Sequence, residues 1–150
     1  VAFEAKTIVD ASPEDVFAVL SDGWLYGLWV VGASHIRDVD PGWPAVGTRI
    51  HHSIGPWPLN RRDITVVRAL EPPRMLELEA RLWPLGAALI RLDLEETADG
   101  RTEIRMGEHV WRGPGKLLPA NLQQLALAPR NIESLHRLGD LAIGRIKKSR

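Results

Sequence analysis

The chain has 150 residues, 45% of them hydrophobic and 25% charged, with 19 Lys+Arg set against 19 Asp+Glu and no cysteine. That length fits one domain spanning residues 1–150, burying roughly 68–70% of its unfolded surface around a single core; charge balance argues against a nucleic-acid binder, which needs a basic face. No apolar run of about 18 residues crosses a membrane, Val1 to Lys6 lacks the basic and apolar segments of a signal peptide, and the missing thiols exclude disulfides, thiolate nucleophiles and cysteine-ligated zinc. A cytoplasmic protein with no integral membrane association is the expectation.

Residues Ala2 to Asp10 alternate and predict a strand, with Phe3, Ala5, Thr7 and Val9 on one face. Ser12-Pro13-Glu14-Asp15 is a helix start: Ser as N-cap, Pro in the first turn and acids at the positive pole. Val16, Phe17, Val19 and Leu20 give that short helix its buried stripe, and Ser21-Asp22-Gly23 ends it. A second short helix is predicted over Trp24 to Val31, apolar nearly all round, so that it is covered on most sides or borders a ligand cavity. Six strands follow, at His35 to Val39, Thr48 to Ile54, Arg61 to Leu70, Met75 to Leu82, Ala87 to Thr97 and Thr102 to Trp111. Their regular alternation of apolar and charged residues marks antiparallel, half-buried strands, and Ala98-Asp99-Gly100 marks a tight hairpin. From Leu117 to Ile146, Leu118, Leu122, Leu125, Ile132, Leu135, Leu138, Leu141, Ala142 and Ile146 recur at helical spacing, with Pro129 expected to kink the helix.

The order is strand, two short helices, six strands and one long helix, and a long amphipathic helix must lay its stripe on the apolar face of the sheet. This α+β arrangement resembles the helix-grip fold of the START and birch-pollen-allergen-like superfamily, SRPBCC, and within it the polyketide cyclase/dehydrase-like proteins. The resemblance rests on Ala11-Ser12-Pro13-Glu14-Asp15-Val16-Phe17 after the first strand, on Glu71-Pro72-Pro73-Arg74 before the fifth, and on the closing helix. It implies a curved antiparallel sheet of about seven strands around the C-terminal helix, with a hydrophobic cavity between them closed at one end by the short helices.

Such a cavity would be walled by Trp24, Tyr26 and Trp29 from the second helix and by Ile50, Leu78, Leu92 and Met106 from the strands. Leu125 and Ile132 would line it from the long helix. Six of the nine aromatic residues are Trp, and several flanking one pocket is the expectation. Two polar residues share the inward faces and are the candidate catalytic groups. His52 alternates with Ile50, leaving His51 to solvent, so the adjacent pair does not chelate one metal. Glu108 alternates with Ile104, Met106 and Val110. Burial favours the protonated form of a carboxyl group and suits it to acid–base work, unless a bulge at Gly107 turns it outward or an arginine pairs with it. Arg61, Arg62 and Asp63 open a strand and could supply a cation to the cavity mouth, although charged strand ends are generally solvated, and His35 and His136 have no partner in the sequence.

No nucleophile elbow, zinc-protease motif, dinucleotide fingerprint or P-loop occurs, so neither a metal nor a cofactor is expected. The leading expectation is a carrier or binding module for a small hydrophobic, cyclic or lipid-like molecule. The competing one is a cyclase/dehydratase-type enzyme in which Glu108 and His52 move protons. A protein-interaction domain with a filled core is the third, and association of two copies stays open.

Overall fold

The structure, a computed structural model, describes residues 5–31, 33–54, 61–82 and 86–148. In chain order it has β1 (Ala5–Val9), α1 (Pro13–Leu20), a 3-10 turn (Gly23–Leu25), α2 (Tyr26–Trp29), β2 (Ala33–Val39), β3 (Arg49–Ile54), β4 (Arg61–Glu71) and β5 (Met75–Leu82). There follow β6 (Gly86–Glu96), β7 (Thr102–Arg112), a second 3-10 turn (Pro114–Leu117) and α3 (Ala120–Lys148). All strand pairs are antiparallel, in the order β1-β7-β6-β5-β4-β3-β2. The first two strands therefore lie at opposite edges, and the short helices bridge from one edge to the other while α3 packs on β1 and β7. The helix-grip expectation is met: one curved sheet, a long C-terminal helix and short helices after the first strand.

Alternation places the core. Ile50, Leu76, Leu78, Leu92 and Ile104 are fully buried on the concave face, as is Met106 very nearly, each contributing roughly 1.5–3 kcal/mol by leaving water. Val16, Phe17 and Leu20 of α1 and Leu135, Leu138 and Ala142 of α3 cover them. The start of α1 forms as its sequence predicts, with the Asp15 amide donating to Ser12 Oγ at 3.2 Å. At the open end of the β6–β7 hairpin, Gly86 has φ +119°, and a Cβ there would fall 1.8 Å from the Arg112 carbonyl oxygen, so only glycine fits.

Two helical expectations need correction. The helix expected over Trp24 to Val31 is a 3-10 turn followed by four helical residues, with Val30 already extended at ψ 111°. So short a helix has one inner face: Tyr26 and Trp29, three apart, are buried, while Trp24 and Leu28 are 56% and 57% exposed. Among the described residues of α3, Asn131, Ser134, Leu135, Leu138, Gly139 and Ala142 are buried, spaced i, i+3, i+4, i+7, i+8 and i+11. Ile132 lies about 100° round from Asn131 and is 43% exposed. The helix runs from Ala120 to Lys148 with Pro129 inside it. Among the described residues no helix is long and apolar enough to cross a membrane.

Candidate functional site

Among the described residues, one group of polar side chains gathers on the otherwise mostly aliphatic concave face, apart from Thr102, whose hydroxyl donates to the Ala11 carbonyl at 2.7 Å. β3 brings His52, β4 brings Thr65, β7 brings Glu108, and all three are buried. From the other side α2 adds buried Tyr26, and α3 adds Arg130, Asn131 and Ser134. Each strand residue is there by the period of two: His52 follows Ile50, Thr65 precedes Val67, and Glu108 lies between Met106 and Val110. The register confirms one face, since Ile50 stands opposite Thr65, and Glu108 opposite Ile90.

Three of these groups form a directional chain. His52 Nδ1 lies 3.3 Å from the Ser53 carbonyl oxygen, which only accepts, so Nδ1 carries the proton and Nε2 is an acceptor. Thr65 Oγ1, at 2.8 Å, therefore donates to Nε2. Thr65 has no second proton, so Tyr26 donates to it across 3.0 Å. Burial, the largest influence, holds His52 below its ordinary value of 6.5, against the Ser53 carbonyl and Asp63, which favour the cation. Burial likewise pushes the Tyr26 phenol up from 10.0 to about 12, with Thr65 and Arg130 opposing and Glu108 adding. Both groups are neutral at physiological pH. The Tyr26 ring also stacks edge-on to Trp29 at 5.6 Å and lies 5.5 Å from the His52 ring.

Glu108 is inward and paired. The β6–β7 register runs without a shift from Ala88↔Val110 to Glu96↔Thr102, so no bulge occurs at Gly107, and His109 is exposed on the far face. Arg130 Nη2 donates to Glu108 Oε1, so of the arrangements open in the sequence the arginine pair is the one formed. The second carboxylate oxygen, Oε2, is buried and has no hydrogen-bond partner among the described residues. A buried carboxylate oxygen without a donor is costly, by about 1–3 kcal/mol or more.

The remaining sequence candidates scatter. Ile50, Leu78, Leu92 and Met106 lie on the concave face beside the polar group, with Tyr26 and Trp29 above it. Trp24 stands outside, on a shallow groove with Val39, Asp40 and Trp43. Trp43 donates its indole N–H to the Leu20 carbonyl at 3.1 Å, and Trp111 is exposed with the Arg112 guanidinium 5.0 Å above its ring. Trp57 and Trp83 lie outside the described residues, as does the side chain of Leu125, so among the described Trp residues only Trp29 is buried, with Trp43 partly buried against the core. His51 bonds Asp40 at 2.8 Å on the other face from His52. Asp63 meets Arg81 at 3.3 Å, and His35, Arg62 and His136 are exposed. A separate groove of about 800 Å³ runs between α1, α2 and the last turns of α3, lined by Val19, Leu25, Leu28 and Leu141, away from the polar group.

Sequence reasoning passed over Thr65, Arg130, Asn131 and Ser134. For Thr65 the signal was present, since it alternates with Val67. Asn131 and Ser134 share helical spacing with Leu135 and Leu138, and Ser134 Oγ accepts from the Val31 amide at 3.1 Å, which secures the chain after α2.

A seven-stranded sheet gripping a C-terminal helix, with a polar group between them, defines a helix-grip protein of the SRPBCC superfamily. Within it, the chain belongs to the family described as polyketide cyclase / dehydrase and lipid transport, which matches residues 1–141. Among solved structures it is similar to protein NE0264 from Nitrosomonas europaea, at 15% identity and TM-score 0.70 over the whole of both chains. It is similar to Ara h 8.0201 at 15% identity and TM-score 0.67, covering 93% of this chain and 95% of that one. The di-domain ARO/CYC StfQ from the steffimycin biosynthetic pathway matches at 11% identity and TM-score 0.68, over 95% of this chain and 50% of that one. At such identities these likenesses concern the fold. No curated protein matches the chain.

Proposed function

We propose that this chain binds a small, mostly apolar molecule between α3 and the concave face of the sheet, in the cytoplasm. The observation that carries the reading is Glu108, fully buried with one oxygen on Arg130 and the other without a partner among the described residues. A filled core gains nothing from such a group, because apolar replacement of a buried ion pair is generally neutral or stabilising. Around it Ile50, Leu78, Leu92 and Met106 supply the apolar walls that a ligand site of this kind uses, with few polar groups to orient the guest. Native mass spectrometry of the protein as purified from cells tests this. A stoichiometric small-molecule adduct, lost on denaturation, is expected. No adduct, together with no saturable binding of an apolar dye, would speak for the filled core.

A second reading, cyclase/dehydratase-type chemistry, is favoured by the chain from Tyr26 through Thr65 to His52. A proton taken from a substrate by the Tyr26 oxygen displaces the phenolic proton to Thr65, whose own proton passes to His52 Nε2, leaving a deprotonated substrate and an imidazolium. The difference from simple binding is measurable. Turnover of an oxygenated substrate that His52→Gln abolishes, with ligand affinity kept, supports the enzyme; binding with no turnover supports the carrier.

A further inference from the structure

The binding reading above leaves the chemistry of the ligand open, and a count of protons on the concave face narrows it. The Tyr26 hydroxyl donates to Thr65, Thr65 donates to His52, and His52 Nδ1–H points at the Ser53 carbonyl. Each of these three groups has thereby spent its only proton. Arg130 Nη2 is engaged by Glu108 Oε1 and, at 3.4 Å, by Asn131 Oδ1. The further N–H groups of Arg130 are donors on the α3 side. On the sheet side the cluster leaves over acceptor capacity: Glu108 Oε2, which has no partner among the described residues, and the lone pairs of the Tyr26 oxygen. The two lie close enough that Tyr26 feels the charges of both Glu108 and Arg130.

We infer that the ligand carries a hydroxyl group, alcoholic or phenolic, which donates to Glu108 Oε2, and that the site selects hydroxylated apolar molecules over their ethers and over carboxylates. An O–H···carboxylate bond is charge-assisted and shielded from water here, so it is among the stronger neutral-ligand contacts a site can offer. An ether brings no proton and leaves Oε2 without a donor. A carboxylate brings a second negative charge beside a buried one. Simple fatty acids are thus poor ligands and hydroxylated rings or long-chain alcohols good ones.

The test uses the full chain and three probes on one ring system: a naphthol, its methyl ether and the corresponding naphthoate, titrated by calorimetry or Trp fluorescence. The naphthol is expected to bind about tenfold or more tightly than either of the others. In Glu108→Gln the preference over the ether is expected to shrink to roughly threefold or less, as the bond becomes neutral, while Glu79→Gln, on the opposite face of the sheet, keeps it. Equal affinities for naphthol and ether, or tightest binding by the naphthoate, overturn the hydroxyl inference and leave the binding reading standing. A preference unchanged in Glu108→Gln also overturns it. No saturable binding by any probe or by an apolar dye removes both. Should the variant fail to fold, the ranking of the three probes on the unaltered chain decides alone.

Discussion

Two buried glutamates sit on opposite faces of the same sheet and end differently. Glu79 of β5 points to the convex side, where Oε1 accepts from Arg68 Nε at 2.8 Å and Oε2 accepts from Arg112, so both oxygens are satisfied and the triad ties β4, β5 and β7 together. Its arginines are 47% and 52% exposed, so they close over the carboxylate and still reach water. Glu108 of β7 points to the concave side and, among the described residues, has one arginine instead of two and an oxygen without a partner. The first is a finished structural clamp. The second is an unfinished one, at the place where sheet and helix face each other, and unfinished coordination is what a binding site needs before its ligand arrives.

The contrast is open to attack through stability. Arg130→Leu should be the most damaging change, at about 3–5 kcal/mol, because it strands the Glu108 carboxylate inside. Denaturant unfolding reads it, and a loss under about 1 kcal/mol would mean that Glu108 reaches water. Glu79→Gln should cost roughly 2–3 kcal/mol, less than a fully buried pair, since Arg68 and Arg112 can rehydrate. Glu108→Gln should cost only about 1 kcal/mol, because losing Arg130 as an ionic partner is offset by removing a charge with an unsolvated oxygen. If Glu108→Gln proves costlier than Glu79→Gln, Glu108 is the clamp and the comparison inverts.

Tyr26→Phe deletes one buried hydrogen bond and should cost about 0.5–1.5 kcal/mol at neutral pH. Tyr26 is the single tyrosine of the chain, so tyrosinate absorbance reports it alone. With the folded phenol raised to about 12 from 10.0, the unfolded chain releases its proton first. Stability from this group is complete below pH 10.0 and is lost as pH rises toward about 12. Tyrosinate forming in the folded protein near its ordinary value would place Tyr26 in solvent. The smallest effect belongs to His52, whose folded value lies below 6.5. There the unfolded state takes the proton first, so its contribution is complete above pH 6.5 and falls as pH drops from there through the folded value. His52→Gln should flatten the acid side of the stability profile relative to the unaltered chain. Identical profiles would contradict its burial.

Much of this was legible in the residues. The period of two in β5, β6 and β7 gives the sheet and its faces, Ser12-Pro13 gives the start of α1, and alternation alone puts His52 and Glu108 inside. What alternation does not contain is partnership. Glu108 and Arg130 lie 22 residues apart on a strand and a helix that meet only in the folded chain, and Glu79 and Arg112 lie 33 apart. The apolar spacing of α3 likewise puts Ile132 on the inner stripe and gives no place there to Asn131 and Ser134. Polar residues enter that stripe because partners await them, the Val31 amide for Ser134 and the Arg130 guanidinium for Asn131. Trp24 misleads for another reason, as a single-turn helix has room for one inner face only, and Tyr26 with Trp29 occupies it.

NMR of the side-chain carboxyl carbons during a naphthol titration addresses the difference between the two glutamates most directly. The Glu108 resonance should move to a saturable endpoint that tracks ligand occupancy, while that of Glu79, with both oxygens already held, stays in place. A naphthol that binds while the Glu108 resonance stands still, or moves that of Glu79 instead, would contradict the assignment of Glu108 as the ligand's anchor.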